Sequence, residues 1–206
     1  MAGRETMPVQ RLTVDEVVDH CDHVARAVVE SGFRPDTIVA VARGGFAPAR
    51  FLCDFLDVSR LLSLQVRHYG SGGQAERRAG VSEPLAGDIA GSRVLLVDDV
   101  NDSGDTLEAA LPYLRELGPA ELRTAVLHEK ANTSRQADFR SGFIREWRWL
   151  LYPWAVVEDG GQFLRDMQPM PTSRSEAVRR LKADHELVLD EAELDRVLFF
   201  NDIELG

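Results

Sequence analysis

Cysteine is scarce, basic residues are outnumbered and no long apolar run occurs. The 206 residues hold two cysteines, Cys21 and Cys53, which cannot make a disulfide framework or a metal-spacing motif. Cys53 lies in an apolar helical pattern and reads as a core thiol. Lys and Arg number 24 against 34 Asp and Glu, a formal net charge of −10. A general nucleic-acid binder needs a basic face, so that class is disfavoured. There is no stretch of about 18 consecutive apolar residues and no basic-then-apolar leader pattern, so a soluble, cytoplasmic protein with no membrane role is expected. No internal repeat is visible. What is present, 44% hydrophobic and 28% charged residues, suffices for one sizeable α/β core with an appendage. A protein acting on small molecules is the class left standing.

The densest signal lies in the middle of the chain. Val94-Leu95-Leu96-Val97 reads as a strand buried on both faces. It runs into two adjacent carboxylates, Asp98 and Asp99. A short polar loop over 101–106 follows, and a helical pattern then starts at Leu107 and continues through Leu111, Leu114 and Leu117. A buried strand, a small-residue loop and a helix N-terminus together make an anion site, because the first N–H groups of a helix lack intrahelical partners and carry its positive dipole end. Ser103 and Thr106 add hydroxyl donors. Paired aspartates would repel a bare phosphate. They suit a ligand that also brings hydroxyl donors, as a ribose phosphate does, or a divalent cation, as magnesium pyrophosphate does.

Other segments repeat the strand-then-chemistry theme. Residues 37–42 form a second buried strand that ends in Arg43-Gly44-Gly45 and leads into a helix over about 46–56 with Pro48 in its first turn. The glycines let backbone approach an anion, and Arg43 can fork onto it. Residues 61–69 read as a strand. The polar, glycine-rich stretch from 70 to 91 reads as a mobile loop or lid, with a short hairpin as the alternative to open coil. Residues 122–129 form another strand, closed by Lys130. An aromatic cluster follows: Trp147, Trp149, Tyr152 and Trp154. Strands alternating with helices, with the reactive side chains at strand carboxyl ends, predict an open, mainly parallel, twisted α/β sheet flanked by helices.

The ends of the chain are plainer. Residues 1–10 read as a loose arm, and Thr13 with Glu16 opens a helix to about 31–32. Asp19-His20-Cys21-Asp22-His23 within it reads as a solvated helix surface rather than a metal site. Ser173 with Glu176, and Asp190, cap two further helices. The expected organisation is an α/β domain over 1–168, including the flexible loop 70–91, and a helical C-terminal extension over 169–206.

The run Asp98-Asp99-Val100-Asn101-Asp102-Ser103-Gly104-Asp105-Thr106 resembles the phosphoribosyl-pyrophosphate (PRPP) motif of type I phosphoribosyltransferases. Trp149-Leu150-Leu151-Tyr152-Pro153-Trp154 is similar to the base-binding segment of the xanthine–guanine members. The resemblance covers about residues 35–160. It implies transfer of phosphoribose from PRPP to a 6-oxopurine, giving a nucleoside 5′-monophosphate and pyrophosphate in purine salvage, with Mg2+ as cofactor. It further implies that Asp98 and Asp99 hold the ribose hydroxyls, that Asp102, Ser103, Gly104, Asp105 and Thr106 bind the 5′-phosphate, and that Asp102 is the catalytic base. Arg43 and Gly44 would receive pyrophosphate, often beside a non-proline cis peptide. Lys130, Trp149 and Leu150 would bind the base, and Tyr69 would belong to the closing loop. The metal would be held at Asp98 and Asp99, through ligand or water. Asp159 is a second metal candidate by similarity to an Asp…Phe-Arg-Asp run of hypoxanthine–guanine enzymes, although the spacing from Trp149 puts Val156 at that place. Ala155 stands where the xanthine–guanine type has an acid that reads a two-amino group. A homodimer or higher homo-oligomer is expected. The alternatives are a transferase for adenine or a pyrimidine, and a non-catalytic PRPP-binding regulator.

Overall fold

The computed structural model describes residues 7–69 and 78–206, with the backbone alone at positions 68, 69 and 78. The chain divides into two compact units, one of Asp15–Trp147 and one of Met1–Val14 with Arg148–Gly206. These boundaries differ from the expected break at 168, since the chain from Arg148 onward clusters with the C-terminal helices.

The first unit is built on a six-stranded sheet. Its elements are α1 (Val14–Glu30), β2 (Thr37–Ala42), α2 (Phe46–Phe55), β3 (Leu61–Tyr69), β4 (Arg78–Glu83), β5 (Arg93–Asn101), α3 (Asp105–Glu116), β6 (Glu121–Lys130) and β7 (Phe139–Ile144); the short β1 (Val9–Arg11) precedes them and belongs to the other unit. Strand order is β4-β3-β2-β5-β6-β7. Every pairing is parallel except β3 with β4. The expected open, mainly parallel sheet is therefore present. Ile38, Val39 and Ala40 of β2 and Val94 to Val97 of β5 have no solvent exposure, as uninterrupted apolar runs in central parallel strands require. Leu107, Ala110, Leu111 and Leu114, spaced for one helix face, carry α3 onto Val39, Val41, Val94, Leu96 and Val126. Between β2 and β5 the order reverses: the chain leaves β2 toward β3, and leaves β5 toward β6. That reversal opens a crevice at the carboxyl ends of these two strands.

Two boundaries moved. β5 does not stop before the aspartate pair but runs to Asn101, because β6 stays in register beside it, with Val100 opposite His128 and Asn101 opposite Glu129. The helix after the loop begins at Asp105, two residues before the apolar pattern does. The expected lid divides: 70–77 lie outside the described residues, and β4 pairs antiparallel with β3 as a hairpin arm.

In the second unit β1 pairs in parallel with β8 (Trp149–Leu151), so part of the expected loose arm is a strand. It is followed by α4 (Val156–Asp166), α5 (Arg174–His185) and α6 (Glu191–Phe200). Val9, Leu151, Phe163, Leu164, Leu181, Leu194, Val197 and Leu198 share one core. Gly160 and Gly161 sit inside α4 because α6 passes too close for side chains: a Cβ on Gly161 would occupy the Asn201 carboxamide. Asn201 itself is fixed by donating to the carbonyls of Val157 (2.9 Å) and Val197 (2.8 Å). The predicted caps form. Ser173 Oγ accepts from the Glu176 amide, and Asp190 with Glu193 completes a capping box. The Glu176 carboxylate instead turns to the amide of Thr172 (3.0 Å).

Candidate active site

The strand reversal brings together several of the residues singled out by sequence. The Ala42–Arg43 peptide is cis, and Arg43-Gly44-Gly45 makes the turn from β2 into α2. A Cβ on Gly44 would fall within the Asp99 carboxylate, 2.6 Å from its Cγ, so this turn approaches β5 only because Gly44 has no side chain. Gly45 is restricted differently: its Cβ would meet the main-chain oxygens of Val97 and Val41. Asp98 and Asp99 both fold back on the chain, Asp98 Oδ1 accepting from the Asp99 amide (2.9 Å) and Asp99 Oδ1 from the Val100 amide (2.7 Å). Burial and the adjacent Asp99 charge push the Asp98 carboxyl well above the usual carboxylate range. A cavity of about 240 Å3 is lined by Asp98, Asp99, Asp102, Ser103, Gly104 and Thr106, among others. Gly104 takes the left-handed conformation (φ +99°) at the head of α3, and a Cβ there would strike Ser134, Arg135 and Thr133.

Beside this cavity stands a buried lysine. Lys130, the last residue of β6, is 3% exposed and its Nζ lies 2.5 Å from Asp102 Oδ2. Asn132 Nδ2 donates to the other Asp102 oxygen at 3.3 Å. The Trp147 ring lies over the same ammonium, with Nζ 4.5 Å from its centroid. One residue earlier in β6, Glu129 is wholly buried. Its Oε2 accepts from the Ala137 amide (2.7 Å) and from Asn101 Nδ2 (3.2 Å), and Arg140 Nη1 pairs with Oε1 at 2.9 Å. Asn101 also donates to the Arg135 carbonyl at 2.6 Å. Ser134 reaches the Ser103 carbonyl with both its amide (2.8 Å) and its hydroxyl (3.0 Å). The loop after β6 thus braces the loop after β5 at several points. Glu129 and Ser134 were not singled out by sequence, Trp147 was named only within an aromatic cluster and Asn101 only within the motif; a glutamate next to Lys130 was the available signal.

Trp149 and Leu150 belong to the other unit, in β8, where the Trp149 indole donates to Asp159 Oδ2 at 2.7 Å. Asp159 lies in the first turn of α4. Trp154 stacks on Tyr152 with ring centroids 4.8 Å apart, and Trp147 covers Lys130. The Tyr69 side chain lies outside the described residues. The reading of residues 19–23 as a solvated helix surface holds for Asp19 and His23, which are exposed, and is corrected for His20. His20 packs edge-on against His128 at 4.3 Å, and its Nδ1 lies 2.7 Å from Ser141 Oγ. Burial lowers the pKa of His20 and brings that of His128 down to about 4. Cys53 is buried as expected. No described helix is long and apolar enough to cross a membrane.

A mainly parallel sheet whose strand reversal brings a Gly-Gly turn beside an acid pair and a loop at a helix N-terminus defines an α/β protein with a candidate anion site, and the chain belongs to the phosphoribosyl transferase domain family, whose model matches residues 12–154. This is a glycosyltransferase-type class of enzyme. Within it the similarity is to purine enzymes. The chain is 33% identical over 148 residues to a xanthine-guanine phosphoribosyltransferase of Ruegeria sp., covering 67% of this chain and 81% of that protein. It is 32% identical over 123 residues to a hypoxanthine-guanine phosphoribosyltransferase of Aquifex aeolicus, covering 56% of this chain and 67% of that protein. The crystal structure of a purine phosphoribosyltransferase from Pyrococcus horikoshii Ot3 superposes with a TM-score of 0.63 at 33% identity, over 72% of this chain and 94% of that one.

Proposed function

We propose that the protein transfers the phosphoribosyl group of PRPP to a 6-oxopurine, releasing pyrophosphate and a nucleoside 5′-monophosphate, as a cytoplasmic purine-salvage enzyme. The observation that carries this reading is the Asp102–Lys130 pair at the edge of the cavity that Asp98, Asp99, Ser103, Gly104 and Thr106 line. In the reaction, the bond from ribose C1′ to pyrophosphate oxygen breaks as the bond to the purine nitrogen forms. Positive charge develops on the ribose, and Asp98 and Asp99, placed at its hydroxyls, stabilise it. Ser103, Gly104, Asp105 and Thr106 hold the 5′-phosphate at the α3 N-terminus. Arg43 and the Gly44 amide neutralise the departing pyrophosphate. Asp102 takes the proton that the purine loses, and Lys130 donates to the six-position oxygen, a hydrogen bond that an amino group at that position cannot accept. Stacking by Trp149 and edge reading by Leu150 belong to the same proposal on the ground of sequence similarity.

Asp98 and Asp99 suit a magnesium ion held indirectly. Among the described residues no three His, Cys, Asp or Glu side chains converge as a metal cage, and Mg2+ commonly keeps waters while binding one or two carboxylates and substrate phosphates. Asp159 is a secondary candidate. When bound, the ion offsets negative charge on pyrophosphate. The test is pyrophosphate release from PRPP with Mg2+ and each of hypoxanthine, xanthine, guanine, adenine, uracil and orotate. Turnover confined to 6-oxopurines supports the proposal. Turnover of adenine or a pyrimidine instead replaces the substrate, and PRPP binding without turnover of any base makes the protein a regulator.

A further inference from the structure

The buried ammonium of Lys130 has two partners of different kinds. One is the Asp102 carboxylate at 2.5 Å. The other is the face of Trp147, 4.5 Å from Nζ to ring centroid, within the distance at which a π face attracts a cation. If the proposed function holds, Asp102 cannot remain the lysine's partner throughout the reaction. Its oxygens must turn to the purine proton, while the ammonium moves to the six-position oxygen. A lysine 3% exposed has little water to fall back on during that exchange, and leaving a buried charge uncompensated is costly. Trp147 is the partner the exchange leaves in place. It comes from the segment after β7, apart from the loop that carries Asp102 and the strand that ends in Lys130, and the reaction itself asks nothing of it.

We infer that Trp147 is a positioning residue that holds the Lys130 ammonium while it passes from Asp102 to the carbonyl oxygen of the base. The indole acts through the lysine and has no other duty in the reaction, so its worth should vanish when the lysine is absent. This inference rests on the proposed function, and the two fail differently.

The experiment is a double-mutant cycle read by steady-state kinetics with the preferred 6-oxopurine. Trp147→Leu keeps apolar cover but removes the π face. The expected result is a rise of about ten-fold in KM for the base with KM for PRPP changed by less than about two-fold. Trp147→Phe, which keeps an aromatic face, should recover most of the loss and also guards against a Leu variant that folds poorly. In a Lys130→Gln background, Trp147→Leu should have no further effect on KM for the base. An unchanged KM in Trp147→Leu, or an equal rise with Lys130 already removed, overturns the inference while leaving the proposed function intact. A wild-type protein that turns over no 6-oxopurine overturns both.

Discussion

Acid should destabilise the α/β unit through His128. The folded chain keeps this imidazole neutral down to about 4, against 6.5 when it is solvated, because it is 2% exposed and packs against His20. Between those two values the unfolded chain binds a proton that the folded chain refuses. Stability is therefore complete above 6.5, falls as the pH falls, and levels off below about 4. At about pH 5 the unfolded imidazole is nearly all protonated and the folded one nearly all neutral, so the loss relative to about pH 7.5 is about 2 kcal/mol. Asp98 works the other way. Its raised pKa contributes stability at low pH that is lost as the pH rises through its folded value, so the wild-type curve sums opposing contributions. The assay is urea unfolding at about pH 7.5 and about pH 5 for wild type and His128→Phe, which keeps a ring against His20 but cannot take a proton. The substitution changes absolute stability, because Gly142 leaves no room beside the ring; the quantity read is the pH dependence. The variant should lose about 2 kcal/mol less than wild type on acidification. Equal losses in the two proteins would refute the reasoning.

Two neighbouring glycines should respond differently to alanine. In Gly44→Ala the methyl group displaces the Asp99 carboxylate, a side chain that can move, so kcat should collapse while the melting temperature holds nearly constant. In Gly45→Ala it meets main-chain oxygens of Val97 and Val41 that cannot, and thermal unfolding should show a loss of about 1–3 kcal/mol or more. Glu129→Ala should cost about 2–4 kcal/mol in urea unfolding, since the Ala137 amide and Asn101 lose a buried acceptor. Glu129→Gln, which still offers an oxygen to both, should cost less than half of that.

Local signals carried much of this structure into the sequence. The apolar runs of β2 and β5, the Gly-Gly turn and the caps at Ser173 and Asp190 depend on residues within a few positions of each other, and they were legible. So was the succession of acid pair, small-residue loop and helix, since it makes an anion site by itself. What escaped depends on distant partners. The pairing of Val9 with Trp149 joins segments too short to show a strand period. His20 reads as a surface residue until Ser141 and His128 are brought to it. Glu129 has the look of a polar strand end, and only the return of residues 135–140 explains why a carboxylate can be wholly buried there. Trp147 shares a short stretch with Trp149 and Trp154, and only the return of the chain beside β6 shows that it covers Lys130. The boundary of β5 moved for the same reason, because β6 continues to support it past the point where its own apolar run ends.

The account turns on Asp102 as the group that takes the purine's proton, and Asp102→Asn tests it most directly. The amide keeps the shape and one oxygen for Lys130 while giving up the bond from Asn132, so PRPP affinity measured calorimetrically with Mg2+ should stay within about three-fold of wild type. Turnover of the preferred 6-oxopurine should fall by a factor of about 10²–10⁴. Turnover within about three-fold of wild type, with PRPP still bound, would contradict the account and remove Asp102 from the chemistry.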